Sequence, residues 1–383
     1  MQSQKTIIIG GGIGGLMTAI ALNKKGIDCV IYEKAKSFGH VGAGLALWGN
    51  ATAILDKFDL LKKLLPLGNV LQEIKTSTPD GKPLSVVRIK QLQDKFHFPV
   101  IVILRNDLQQ VLLDAVPASQ IHFGKQCCKV ENDLQETTVH FTDGTTEKGT
   151  AVIFADGVHS IARKDVFDFS PLKYAGRTSW RGVAQFDKPF FDNDINFEIF
   201  GKGKRIGIFP LPNNMAYWYA AVNMTEEKAE QQEKTVASVL SHFHDWAEPV
   251  NALMKNTTDE RLVLTKINYA TSIPKLVKGN IALLGDAAHP ITPDLGQGAC
   301  QAIEDAYVLA ECLSQKKSIA DNLIAYENKR LRRVRAIAKD SFRMGNIRQM
   351  ENPITLAIRN RLFRILPENF ALKILERSIR NEL

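Results

Sequence analysis

The residues Thr6 to Ile9 form a short apolar run that stops at Gly10-Gly11-Gly12-Ile13-Gly14-Gly15, and no other stretch constrains the fold as strongly. An apolar run that ends in glycines reads as a buried strand entering a tight turn. A helical pattern follows from about Gly14 to Lys25, Gly26 ends it, and a second strand, Cys29-Val30-Ile31-Tyr32, finishes at Glu33. Strand, GxGxxG at Gly10, Gly12 and Gly15, helix, strand and an acid about twenty residues on make up the dinucleotide fingerprint in its full context. The glycines let a pyrophosphate sit on the helix N-terminus, and Glu33 is placed to bind an adenosine ribose 2′-hydroxyl.

Two later junctions repeat the theme. The buried run Ala151 to Ala155 ends at Asp156-Gly157, with Ser160 and Arg163 following. The run Ile281 to Leu284 ends at Gly285-Asp286, then gives way to Pro293, Gly296-Gln297-Gly298 and a helical pattern from near Ala299. Glycines allow close approach of backbone, and a helix start offers unpaired N–H groups to an anion or a polarised carbonyl. Between these junctions, a small-residue loop around Gly44 leads to an amphipathic helix over about Asn50 to Leu61. A further helix runs from Leu104 to about Ala115 with Asn106 or Asp107 as its cap, which leaves Arg105 free to reach a phosphate or a ribose.

The section from about Lys173 to Lys266 has another texture. Alternating segments such as Arg205 to Phe209 and Ala216 to Val222 predict an antiparallel sheet, with one helix from about Thr235 to Ala247. Such a sheet is well placed to roof a substrate pocket, although its aromatics (Trp180, Phe209, Tyr217, Trp218, Tyr219) are expected mostly in the core. Helices follow over Cys300 to Ser314, Ile319 to about Ile347, and Pro353 to the end. Leu362 to Leu366 is amphipathic and basic, and is expected to pack on the protein's own body, with docking on a membrane or a partner as the alternatives.

Composition narrows the class. With 45% hydrophobic and 23% charged residues among 383, the chain reads as an ordinary globular protein, without an apolar run long enough to span a membrane. Its opening residues lead straight into a strand, which predicts a cytoplasmic protein without stable membrane insertion. Five cysteines at no zinc-ligand spacing predict free thiols and no metal. The net charge of +8 is spread along the chain, with a local concentration from Lys329 to Arg335 that reads as a solvated helix face. Without interleaved stacking aromatics it does not point to nucleic acid, and it would help to gather anionic cofactors and substrates.

Taken together, the three glycine junctions resemble those of the class A flavoprotein monooxygenases, the family of para-hydroxybenzoate, salicylate and urate hydroxylases. The resemblance covers nearly the whole length. It rests on Gly10 to Gly15 with Glu33, on Ala155-Asp156-Gly157-Val158-His159-Ser160-Ile161-Ala162-Arg163, and on Gly285-Asp286-Ala287-Ala288-His289-Pro290. It implies an α/β protein. A Rossmann-like FAD-binding domain (1–70, 100–170 and 275–320) would carry an inserted, mainly antiparallel substrate sheet (71–99 and 171–274), with C-terminal helices over 321–383. By resemblance, Gly10, Gly12, Ile13, Gly14, Gly15, Glu33, Lys34, Gly44, Arg105, Asp156, Gly157, Gly285 and Asp286 hold the cofactor. Pro293, Gly296, Gln297 and Gly298 then lie by the isoalloxazine.

The implied reaction uses NADPH or NADH as a transient reductant and O₂. It forms a C4a-hydroperoxyflavin that hydroxylates a small aromatic, heteroaromatic or polycyclic substrate in a monomer or homodimer. The middle section is most similar to urate-hydroxylase-like and zeaxanthin-epoxidase-like members, which nominates Arg205 for binding or polarising substrate and Tyr217 for orienting it. Tetracycline-inactivating enzymes share the architecture. A flavin-dependent dehydrogenase or reductase without oxygen insertion, and a flavin-binding module acting through a partner, are the alternatives.

Overall fold

The computed structural model of the protein describes residues 5–39, 43–133, 136–192 and 194–380. One sheet is built from the strands Thr6–Ile9, Cys29–Glu33, Ile121–Phe123, Ala151–Phe154, Val277–Lys278 and Ile281–Leu283. Its centre is parallel: Ile7 pairs with Val30 on one side and Val152 on the other, and Val152 in turn pairs with Ile281. These central strands are buried on both faces, which is why they read as continuous apolar runs rather than alternating ones. Parallel neighbours end at the same edge of a sheet. Gly10, Glu33, Asp156 and Gly285 therefore arrive together, where open α/β sheets bind their ligands.

The second large sheet has seven strands in the order Val263–Tyr269, Lys173–Gln185, Met215–Asn223, Lys204–Leu211, Ile195–Phe200, Glu73–Ser77 and Pro83–Arg88. All its pairings are antiparallel except that of Ile195–Phe200 with Glu73–Ser77. Side chains alternate across it with period two. Trp180, Ile206, Ile208, Trp218 and Ala220 enter one core with Phe243 and Trp246, and the opposite face is left to Arg181, Arg205, Phe209, Tyr217 and Tyr219. A smaller sheet of Gly44–Leu47, Ile101–Leu104 and Asn69–Val70 abuts that second face, with Val102 against Tyr217 and Leu211.

The helix Gly298–Leu313 and the long helix Ile319–Arg348 pack beneath the Gly285 junction, and a buried ionic network joins them. Arg330 donates from Nε to Asp305 Oδ1 at 2.6 Å and from Nη1 to Glu304 Oε2 at 2.5 Å, while Arg333 reaches Glu304 as well. Asp305 Oδ2 accepts the Gly285 N–H at 2.9 Å and meets His289 Nε2 at 2.6 Å. Burial opposes the charged form of Asp305, but His289 and Arg330 outweigh it and hold its pKa below the ordinary carboxylate range. Lys329 to Arg335 is thus not simply a solvated face: Arg330 is fully buried, and Arg335 donates to the carbonyls of Ile273 and Pro274.

Three other expectations are corrected. The single helix over Thr235–Ala247 is Val236–Phe243, flanked by the short helices Glu226–Glu230 and Val250–Lys255. The last helix is two, Pro353–Ile365 and Glu368–Ile379, because Pro367 lacks the N–H that continuation requires; residues past Arg380 lie outside the described ones. The helix Arg105–Leu113 starts with Leu104 at its N-cap position, so neither Asn106 nor Asp107 caps it.

Asp305 binds its proton less tightly in the folded protein than in the unfolded chain. Its contribution is therefore complete at neutral pH and is lost as pH falls below about 4 toward the folded value. Asp305→Asn should cost about 3–5 kcal/mol at pH 7 by leaving Arg330 partly uncompensated. Melting temperatures followed from pH 7 to pH 3 should fall less steeply for the variant than for the wild type, and parallel profiles would contradict the assignment.

Candidate active site

The first glycine junction forms the floor of a cradle. Gly10 has φ +104°, and a Cβ there would stand 2.5 Å from the Ala155 carbonyl oxygen, so only glycine lets the two strand ends meet. A Cβ on Gly15 would collide with the Gly10 carbonyl, and one on Gly14 would press on Leu284. Gly12, the N-cap of the helix Ile13–Lys24, faces open space instead and carries no side-chain cap. That leaves the helix N-terminus available to a phosphate. Glu33 closes the adjacent strand and accepts the Gly11 N–H at 2.6 Å and the Ala35 N–H at 2.8 Å, which fixes its carboxylate at the rim; Lys34 beside it is exposed.

The second junction braces the third. Asp156 Oδ2 accepts the Ile161 N–H at 3.1 Å, and burial raises its pKa against the pull of nearby donors; its Oδ1 has no hydrogen-bond partner among the described residues. Gly157 sits at φ +81°, the conformation that turns the chain after the strand. Arg163, buried seven residues after Asp156, donates to the Ala288 carbonyl at 2.9 Å and so ties this segment to the Gly285 turn. Gly285 is also left-handed, at φ +56°, and exposes the Asp286 side chain. Arg105 is exposed as well, yet enough protein surrounds it to lower its pKa, with Asp286 acting against that shift and Arg181 adding to it. Asp286 and Arg181 are therefore both near enough to Arg105 to act on its charge.

The turn Pro293–Leu295 leads through Gly296 (φ +64°) to Gln297, the N-cap of the helix Gly298–Leu313. A Cβ on Gly298 would meet nothing within 4 Å among the described residues. Gln297 Oε1 accepts from Asn50 at 3.0 Å, whereas its Nε2 and the neighbouring Trp48 Nε1 are buried without hydrogen-bond partners among the described residues. The turn is held from below. Asp294 pairs with Arg205 at 2.5 Å and with Arg177 at 3.3 Å, all three being buried. Ser341 donates to the Thr292 carbonyl at 2.6 Å, and Arg348 to that of Asp294 at 2.8 Å.

Arg205 therefore does not project freely into a pocket. One of its nitrogens holds Asp294, its guanidinium lies over the Tyr219 ring, and its Nε and Nη1 have no hydrogen-bond partner among the described residues. Tyr217 is buried and stacked on Phe209, and burial raises its pKa, so it remains a neutral phenol at physiological pH. Gly44 packs on the face of that ring, where a Cβ would come within 2.5 Å. Asp294 and Arg181 escaped the sequence reading. Asp294 stands inside the Pro293 to Gly298 stretch, and Arg181 shares the parity of the strand face opposite Trp180; both signals were present in the chain.

The geometry fits a flavin dinucleotide. An open helix N-terminus at Gly12, an acid at the end of the second strand, an orphaned carboxylate oxygen on Asp156 and a second open helix start at Gly298 face one sheet edge. A separate cleft of about 1180 Å³, lined by Arg332, Arg343 and Arg377 among others, includes none of Gly10–Gly15, Asp156–Gly157 or Gly285–Asp286 in its lining.

Comparison with known proteins agrees. The FAD binding domain family matches residues 3–341. The chain is 32% identical over 367 residues to an aurachin C monooxygenase/isomerase of Stigmatella aurantiaca, covering 96% of this chain and 95% of that protein. It is 34% identical over 333 residues to an FAD-dependent urate hydroxylase of Klebsiella pneumoniae, covering 86% and 87%. The structure of Klebsiella pneumoniae HpxO with FAD and uric acid superposes with a TM-score of 0.91 at 30% identity, over 98% and 96% of the two chains. The chain belongs to the class A flavoprotein monooxygenases, FAD-dependent oxidoreductases that use NAD(P)H and O₂.

Proposed function

We propose that this monooxygenase hydroxylates a planar, electron-rich aromatic or heteroaromatic ring held between the Pro293–Gly298 turn and the sheet face that carries Arg181, Phe209 and Tyr217. The observation that carries this reading is the Asp294–Arg205 pair. It ties the turn beside the flavin position to the sheet opposite, so the two walls of the pocket are set relative to each other. Bound FAD, reduced by NAD(P)H, supplies the activated oxygen. The chain's own residues bind, orient and exclude water.

Glu33, Lys34, Arg105, Asp156, Gly157, Asp286 and the glycines at 10, 12, 14, 15 and 285, with Ile13, are assigned to cofactor binding; Pro293, Gly296, Gln297 and Gly298 offer backbone to the ring. The parallel sheet and its helices act as the cofactor body, and the seven-stranded sheet as the substrate body. Tyr217, kept neutral by burial, is assigned to orient the substrate by hydrogen bonding, and Arg205 to complement negative charge through the donors Asp294 does not use. Gly44 serves by letting Tyr217 lie flat against the strand Gly44–Leu47.

Urate is the first candidate substrate, supported by the likeness to the Klebsiella enzyme; the similarly strong likeness to the aurachin C enzyme supports larger heteroaromatics equally well. The tetracycline reading has only a shared fold at about one-fifth identity behind it. Among the described residues no helix is long and apolar enough to cross a membrane, and all five cysteines are free thiols, which supports a cytoplasmic setting.

A panel of urate, quinolines, phenolic acids and tetracyclines, scored for oxygenated product by mass spectrometry, tests the reading. An electron-rich planar ring should give product, and NAD(P)H oxidation that yields only hydrogen peroxide with every compound would contradict it. Tyr217→Phe removes one hydroxyl and should lower kcat/KM roughly tenfold to a hundredfold, about 1–3 kcal/mol, with FAD affinity unchanged. Asp286→Ala and Gly12→Ala should each weaken FAD binding roughly tenfold, read by flavin fluorescence, without lowering the melting temperature of the apoprotein. Gly15→Ala, by contrast, should destabilise the fold itself.

A further inference from the structure

The helix Pro353–Ile365 is amphipathic in an inverted sense. Its charged Arg359 is the buried residue: it donates to the Arg348 carbonyl at 2.7 Å and lies over the Phe200 ring, while Phe363 also packs on Phe200. The face beside it is apolar and exposed. Ile354 (71% exposed), Ile358, Leu362 and Ile365 (64%) recur at spacings of four, four and three, a single stripe along about 17 Å of helix. Isolated exposed aliphatics are ordinary, but a continuous stripe of four marks an interaction surface.

We propose that this stripe seats the protein on an anionic lipid bilayer surface, with the helix lying in the plane of the interface. Charge selects the occupant. Arg361 is exposed along the edge of the stripe, Arg364 is exposed while donating to the Pro83 carbonyl at 3.4 Å, and no acid occurs from Pro353 to Pro367. The nearest acids on either side are turned to the body: Glu351 accepts from Asn223 at 2.9 Å, and Glu368 from Arg88 at 2.8 Å. The chain as a whole carries +8. An apolar face rimmed by arginines matches the boundary between acyl chains and acidic headgroups. A second copy of the chain would bring the same arginines against the first pair without acids to receive them. The helix is too short to span a bilayer, so the mode is peripheral.

Flotation of the FAD-loaded full chain with vesicles of phosphatidylcholine, with and without phosphatidylserine, tests this. The wild type should float with the phosphatidylserine vesicles at low salt and be released as salt rises. The triple variant Ile358→Ser, Leu362→Ser, Ile365→Ser should lose at least about tenfold in binding, with flavin absorbance and melting temperature unchanged because all three side chains are exposed. Arg361→Glu with Arg364→Glu should lose a similar factor and provides a second readout if the triple variant folds poorly. Failure of the wild type to float, or undiminished binding by both variants, would overturn the proposal. A concentration-dependent dimer, seen by light scattering and abolished by the same substitutions, would also overturn it by assigning the stripe to a second copy.

Discussion

The buried ionic contact between Arg330 and the consecutive acids Glu304 and Asp305 is the interaction on which the site depends. Two carboxylates buried side by side repel each other, and only a cation placed between them makes the arrangement tolerable. The long helix supplies that cation from Arg330, with Arg333 assisting at Glu304. Once Asp305 is held, it has an oxygen to spare for the Gly285 N–H and for His289. A left-handed glycine and the exposed Asp286 beside it are thereby fixed at the end of a buried strand. Replacing such a network by apolar residues would remove that spare acceptor, which is a reason for the polar design even where its net stabilisation is small.

The same logic extends outward from the junction. Arg163 links the Asp156 segment to the Ala288 carbonyl, and parallel pairing already brings Gly10 alongside, so three separate stretches of sequence act as one cradle. On the far side, Asp294 receives Arg205 and Arg177 from the seven-stranded sheet. The Pro293–Gly298 turn and the seven-stranded sheet, the proposed cofactor and substrate walls, are thus joined by a buried ion pair rather than by apolar packing alone. An ion pair of this kind fixes orientation more tightly than an apolar contact of equal area, because its hydrogen bonds are directional.

Much of this was legible in the chain. The strand–glycine–helix pattern around Gly10 and the glycine–aspartate pairs at 156–157 and 285–286 predict their own geometry, since φ angles and close backbone approach admit few other residues. What could not be read was direction. A run of basic residues from Lys329 to Arg335 has the same composition whether Arg330 points inward or outward; the answer lay in the consecutive acids of another helix. Arg205 was nominated through the family resemblance, and its partner Asp294 lies far away in sequence. The exposed face of Pro353–Ile365 shows the converse problem: helical periodicity reveals a stripe without saying whether the body covers it.

The most direct measurement is the fate of labelled molecular oxygen in a turnover with an accepted substrate. The account requires one atom from O₂ in the product for each NAD(P)H used in coupled turnover, because the cradle holds a flavin that must meet substrate in a pocket closed to water. A product that carries oxygen from water alone, or turnover that proceeds unchanged without O₂ when another electron acceptor is supplied, would contradict it.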